Sequence, residues 1–199
     1  NILKILLLIF FLLKKNYLKT NKLWGIKIII ATIPAIVVGF FVYQYFIDYL
    51  RNIIVIAWAS IIFGIILFLA DRKSNAERHW EDLNFREVFF VGIFQVLAFI
   101  PGASRAGVTI TGSRILNVKR DSAAIFSMLL SIPIIFASLA LALLDIYSLG
   151  IKELEISGAF VATIISFIIA LLSIHFMMKI LQFTNFNIFI IYRILLGIA

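Results

Sequence analysis

Residues 88–116 read VFFVGIFQVLAFIPGASRAGVTITGSRIL, two apolar runs split by a Pro-Gly pair. The first run, 88–100, holds about 13 residues and the second, 106–116, holds fewer, whereas roughly 20 helical residues are needed to cross about 30 Å of hydrocarbon. Neither run crosses alone. Segments of this length suit a re-entrant pair: one half-helix enters the membrane, the chain turns at Pro101-Gly102, and a second half-helix leaves on the side of entry.

The flanks of this stretch place it in a bilayer. Hydrophobic residues make up 63% of the 199 and charged residues only 14%, with a mean hydropathy of +1.12. A soluble domain would have to bury several long apolar helices in a chain too small to cover them. Uncharged stretches at 28–47, 53–70, 123–144 and 156–174 each run about 18 to 22 residues, long enough to span. The expected fold is therefore all-α: a polytopic transmembrane helical bundle with a re-entrant helix pair, forming one integral membrane domain over 1–199. Pro34 and Gly39 fall inside the first span, and a kink is expected near Pro34. Residues 71–87 form the one strongly polar segment and read most simply as a solvated loop, while 186–199 stops short of an assured crossing. Residues 2–13 are apolar but short. They read as the tail of a helix that begins upstream rather than as a signal peptide, because no small-residue cleavage site precedes Lys14 and Lys15.

The net charge of +8 does not point to nucleic acid, because the basic residues lie between apolar spans and report orientation. Lys14, Lys15, Lys19 and Lys22 form one basic loop and Arg114, Lys119 and Arg120 another, so both are expected on the cytoplasmic side. The chain has no cysteine, which excludes disulfides, thiolate chemistry and cysteine metal sites.

The turn between the two short runs is where chemistry is expected. An intramembrane arginine costs about 2.5–3.5 kcal/mol on insertion scales and is seldom kept without a partner, so something anionic should sit near Arg105. A half-helix that begins near Ser104 or Arg105 offers unpaired N–H groups and the positive end of its dipole. Gly102 and Gly107 let backbone approach an oxyanion, Ser104, Thr109 and Thr111 can donate hydrogen bonds, and Arg105 carries a planar fork that matches two phosphate oxygens. The same residues also allow a blander reading, with Ser and Thr bonded to their own helix and Arg105 reaching the interface. Spacing alone leaves the two open.

The pattern Gly92-x-x-Gln95-x-Leu97-Ala98-x-x-Pro101-Gly102-x-Ser104-Arg105-x-Gly107-x-Thr109-Ile110 resembles the second-half signature of the undecaprenyl-diphosphate phosphatase, or bacitracin-resistance, family. The similarity continues through Ala123-Ala124-x-Phe126-Ser127-x-Leu129-Leu130-x-Ile132-Pro133 and Ile191-Tyr192-Arg193. The resemblance implies an enzyme of the bacterial plasma membrane that hydrolyses undecaprenyl diphosphate to the monophosphate and inorganic phosphate. That reaction recycles the lipid carrier of cell-wall synthesis and confers bacitracin resistance. Arg105 would clamp the diphosphate and Ser104 would donate to a phosphate oxygen or act as nucleophile, with Gln95, Gly102, Gly107 and Thr109 binding or supporting substrate. A divalent cation, Mg or Ca, is implied by the resemblance alone, and no carboxylate cluster is evident in the sequence to hold it. Expected partners are a polyprenyl diphosphate and membrane lipid, with a homodimer left open and no nucleic acid.

The chain departs from the family pattern in two ways. Ala106 stands where the family usually has a second serine. Family members also carry an earlier re-entrant segment, the other half of an inverted repeat, with a pair of glutamates and a Ser-Ser-Thr-Gly-His-like run. Nothing in the 199 residues matches it, so the chain reads as N-terminally truncated relative to the family, lacking the general base and inactive alone. A transporter or flippase of a polyprenyl phosphate or other anion is the main alternative, since transporters also aim broken helices at anionic substrates. His79 reads as solvated, His175 as interfacial, and Arg193 as an intramembrane cation that could pair with a lipid phosphate or a helix C-terminus.

Overall fold

A computed structural model of the chain describes residues 23–45, 52–75, 77–149, 156–183 and 185–198. The expectations for residues 1–22, including the basic loop at Lys14 to Lys22, and for the connections at 46–51 and 150–155 lie outside the described residues. Seven α-helices follow in chain order: α1 (Trp24–Tyr45), α2 (Ile53–Lys73), α3 (Phe85–Val96), α4 (Arg105–Ile115), α5 (Arg120–Leu149), α6 (Ile156–Phe183) and α7 (Asn187–Ile198). Among the described residues there is no strand, only an isolated bridge between Arg78 and Val118. The protein is a polytopic helical membrane protein: α1, α2, α5 and α6 are long and apolar enough to cross a bilayer. Large apolar side chains such as Ile29, Phe40, Trp58, Phe136 and Ile169 are exposed on their outer faces, as a lipid solvent requires. Helix α1 runs through Pro34, whose missing N–H leaves one carbonyl of the preceding turn without its helical partner.

Helices α3 and α4 are the re-entrant pair. At 1.5 Å per residue they reach only about 18 Å and 16 Å, and they pack together where Gly112 admits Phe94: a Cβ there would lie 3.1 Å from the Phe94 side chain. Entry and exit on one side follow from the backbone itself. Arg78 N–H donates to Asn117 O (3.1 Å) and Lys119 N–H to Arg78 O (2.8 Å), so the chain just before α3 lies beside the chain just after α4.

Local sequence sets both outer ends of the pair. Asn84 caps α3 in a capping box with Glu87: Asn84 Oδ1 accepts from Glu87 N–H (3.0 Å) and Glu87 Oε2 accepts from Asn84 N–H (2.8 Å). Leu83 and Val88, flanking that cap at staple positions, are buried in one core. Helix α4 ends in a Schellman motif, with Asn117 at a φ of 61°, its N–H donating to Arg114 O and that of Val118 to Ser113 O. The buried face of α3 is Val88, Val91, Gly92 and Gln95, the i, i+3, i+4, i+7 stripe. Gly92 sits against α1 so closely that a Cβ would lie 2.4 Å from Ala31 O.

Residues 71–87 are not the solvated loop expected from their polarity. Trp80 and Leu83 are buried, with Trp80 stacked on Phe126 at 5.1 Å between ring centroids, and Lys27 of α1 donates to Glu81 O (2.6 Å). His79 is not free in solvent either, its Nε2 lying 3.1 Å from Lys119 Nζ. Asp71, in the last turn of α2, is 4% exposed and holds two arginines. Arg120 donates to both carboxylate oxygens (2.9 to 3.1 Å). Arg114 Nε lies 2.8 Å from Oδ1, and its other nitrogens donate to Asp71 O (3.0 Å) and Val118 O (2.6 Å). Two of the three residues read as loop charges are thus internal struts that tie α2 to both ends of the α4–α5 connection.

Two outcomes follow from this packing. Asp71→Ala leaves Arg114 buried with an uncompensated charge, a loss of about 3–5 kcal/mol, so thermal unfolding in detergent should show a drop of many degrees; an unchanged midpoint would contradict the strut. Hydrogen bonding from Arg78 holds the Glu87 carboxyl below the ordinary carboxylate range. Because folded Glu87 binds its proton less readily than the unfolded chain, its stabilisation is full above the unfolded value of about 4.3 and is lost as pH falls through the lower folded value. The difference in unfolding midpoint between wild type and Glu87→Gln should accordingly be present at pH 7 and vanish in that acid window.

Candidate functional site

The connection between α3 and α4 breaks the helical ladder and finds new partners for part of its backbone. A 3-10 turn, Leu97–Phe99, prolongs α3; Ile100 N–H then donates to Leu97 O and Ala103 N–H to Ile100 O. Gly102 takes a φ of 91°, in the left-handed region that glycine enters without penalty. It also lies so close to α2 that a Cβ would be 2.3 Å from Ile56 O. Two carbonyls of the turn are held by distant side chains: Gly102 O accepts from Ser60 Oγ (3.3 Å) and Arg193 Nη2 (2.8 Å), and Ala103 O from the same Arg193 nitrogen (2.8 Å).

Ser104 is the N-cap of α4, at φ 64° and ψ 114°, with Oγ accepting from Gly107 N–H (3.3 Å). Its hydroxyl proton remains available to a further acceptor, and the residue is exposed. Arg105 follows as the first helical residue, half-buried, with Nη1 donating to Ser127 O of α5 (3.3 Å). Among the described residues neither Arg105 nor Arg193 enters an ion pair, and the N–H groups of Ser104, Arg105 and Ala106 have no protein acceptor. A helix N-terminus with open donors, an outward hydroxyl and an unneutralised guanidinium is an anion-binding arrangement.

The remaining residues expected at the site do not meet on its open side. Thr109 is fully buried, and its Oγ1 donates to Arg105 O (2.9 Å) and shares a hydrogen bond with Ser127 Oγ (2.7 Å), tying α4 to α5. It does not reach the open side. Thr111 Oγ1 donates to Gly107 O of its own helix (2.7 Å), the blander outcome. Gly102 and Gly107 do not open space for an oxyanion: the position of a Cβ is taken by Ile56 O at Gly102 and by Arg193 Nη1, 2.6 Å away, at Gly107. Gln95 is 1% exposed, and neither end of its amide has a partner among the described residues. Ser60 and Ser127 carry contacts to the turn and to Arg105 that sequence reading passed over; a small polar residue inside an otherwise apolar span was the available signal at Ser60.

Beside the turn lies an apolar cavity of about 640 Å³ between α1 and α5, lined by residues that include Gly39, Phe40, Phe99, Pro101 and Leu141. Among the described residues no group of three or more His, Asp or Glu side chains comes together to hold a metal ion.

A family model described as "Bacitracin resistance protein BacA" matches residues 1–199. The chain is 39% identical over 172 residues to a protein named undecaprenyl-diphosphatase from Jannaschia sp. (strain CCS1), covering 86% of this chain and 64% of that one. It is 40% identical over 190 residues to another of that name from Aliivibrio salmonicida (strain LFI1238), covering 94% and 70%. A third, from Roseobacter denitrificans (strain ATCC 33942 / OCh 114), is 36% identical over 172 residues. The chain thus spans roughly two thirds of the length of these curated relatives.

Substitution at Ser104 separates folding from chemistry. Ser104→Gly loses the cap but accepts the positive φ freely, so stability should change by a few tenths of a kcal/mol, whereas Ser104→Ala should cost about 1 kcal/mol or more. Thermal unfolding of the two variants in one detergent checks the order; a reversed order would contradict the backbone described for the turn.

Proposed function

The chain belongs to the bacitracin resistance protein BacA family, and from that premise and the geometry of the turn we propose that the full-length protein hydrolyses undecaprenyl diphosphate to undecaprenyl phosphate and inorganic phosphate. The observation that carries the reading is Arg105, unneutralised by any carboxylate among the described residues, at the N-terminus of a half-helix whose first N–H groups are open. Phosphoryl transfer asks a protein mainly for positioning and for stabilisation of charge on the transferring oxygens. Arg105 supplies a fork for two of those oxygens, and Ser104 O–H and the N–H groups of residues 104–106 supply further donors. In this reading Ser104 serves as a donor through its O–H while its oxygen accepts from Gly107 N–H. The isoprenoid tail has an apolar place to lie, the cavity bounded by Phe99 and Pro101 of the same turn.

The general base, and ligands for the divalent cation that the family resemblance implies, would come from outside the described residues. The protein would act in the bacterial plasma membrane, recycling the lipid carrier of cell-wall synthesis and thereby lowering sensitivity to bacitracin. The test is phosphate release from undecaprenyl diphosphate by the purified full-length protein. Arg105→Ala and Arg105→Lys are both expected to lower kcat by about 10²–10³-fold, as for loss of one preorganised donor to developing charge. A folded full-length protein that moves the intact lipid between vesicles without releasing phosphate would favour a flippase instead.

A further inference from the structure

Arg193, on the short helix α7, has no part in the reaction as described above, yet it touches the turn more closely than any other distant residue. Its Nη2 donates to Gly102 O and Ala103 O, both at 2.8 Å and across some ninety residues of chain. Its Nη1 is buried without a partner among the described residues and lies where a Cβ on Gly107 would come within 2.6 Å. Helix α7 reaches this position by close packing on α2. A Cβ on Gly197 would be 2.8 Å from Ala57 O, and one on Gly64 would be 3.9 Å from the Arg193 Cβ.

We propose that Arg193 is a positioning residue of the anion site, fixing the Gly102–Ala103 turn from α7 and resting its Nη1 edge on Gly107 in the first turn of α4. The inference rests on the reading of that turn as a phosphate site.

Two physical arguments carry it. In a planar trans peptide the C=O and N–H point in opposite directions, so holding Ala103 O toward Arg193 aims Ser104 N–H away from it, toward the open side of the turn. If that carbonyl were released, the peptide could rotate and present an acceptor to the anion in place of a donor. The second argument concerns charge. A guanidinium laid along the first turn of a helix is at the wrong end of the macrodipole, and here it joins Arg105 with no carboxylate paired to either among the described residues. Two cations that each touch this turn or the first turn of its helix, beside open N–H groups, are relieved by an anion. The glycine at 107 is what allows the guanidinium to lie there.

Gly107 and Arg193 should therefore act as one unit. In the full-length protein, Arg193→Ala is expected to lower kcat for phosphate release from undecaprenyl diphosphate by about 10²-fold, the scale of a small misplacement at a reacting centre. KM should change little, because the isoprenoid tail still binds. Guanidinium ion in solution should restore part of the activity of Arg193→Ala. Gly107→Ala should reproduce the loss by pushing Arg193 aside, and the double variant should be no worse than the poorer single one. Arg193→Lys keeps charge and bulk and guards against misfolding: its unfolding midpoint should stay close to wild type while kcat falls. Wild-type kcat in Arg193→Ala, or losses that multiply in the double variant, would overturn the inference and leave the phosphatase reading intact.

Binding of inorganic pyrophosphate to the same proteins separates the two ideas. If wild type binds pyrophosphate but releases no phosphate from the lipid, the phosphatase reading alone fails, and weaker binding by Arg193→Ala upholds its role while equal binding overturns it. A wild type that neither hydrolyses the lipid nor binds pyrophosphate overturns both.

Discussion

A chain that breaks its helix among apolar helices must find partners for every backbone group it frees, because lipid offers none. That constraint governs residues 97–104, and the rest of the described structure is arranged around meeting it. Gly102 and Ser104 adopt positive φ; the Gly102 and Ala103 carbonyls are taken by Ser60 of α2 and Arg193 of α7. Among the described residues the N–H groups at the start of α4 have no acceptor, the Ser104 proton is available, and the Arg105 guanidinium has one hydrogen bond and no ion pair. Donors left open at the start of α4 are the feature on which the proposal of an anionic ligand rests.

The opposite, polar end of the re-entrant pair holds this geometry in register. Asp71, with Arg114 and Arg120, joins the end of α2 to the end of α4 and the start of α5. The Arg78–Lys119 backbone contacts close the hairpin, and Thr109 with Ser127 fastens α4 to α5 one turn below Arg105. Small residues set the spacing: Gly92 against Ala31, Gly112 against Phe94, Gly197 against Ala57.

Much of this was legible in the sequence because it rests on length and composition. Spans of about twenty apolar residues, a broken pair of half that length and a Pro-Gly turn fix a polytopic bundle with a re-entrant hairpin. The start of α4 at Ser104-Arg105 was readable from capping chemistry. Contacts far apart in sequence were not. Arg114 counted as a loop charge because nothing local reveals that Asp71, 43 positions earlier, meets it in the interior. The polarity of 71–87 suggested solvent, yet Trp80 and Leu83 turn that segment inward. Glycines at 102 and 107 looked like room for an oxyanion, whereas the room is filled by Ile56 and Arg193. Thr109, four residues after Arg105 and so on the same face one turn further along, meets Ser127 of α5 in the interior, a contact that nothing local in the sequence reveals.

The most direct measurement is a structure of the full-length protein with a polyprenyl methylene-diphosphonate, which cannot be hydrolysed at the bridging position. The terminal phosphonate is expected at the N-terminus of α4, within hydrogen-bonding distance of the Arg105 guanidinium and the N–H groups of residues 104–106, with the tail running past Phe99 and Pro101. A diphosphonate bound elsewhere in the protein, with Arg105 still bonded only to Ser127 O, would contradict the assignment of this turn as the phosphate site.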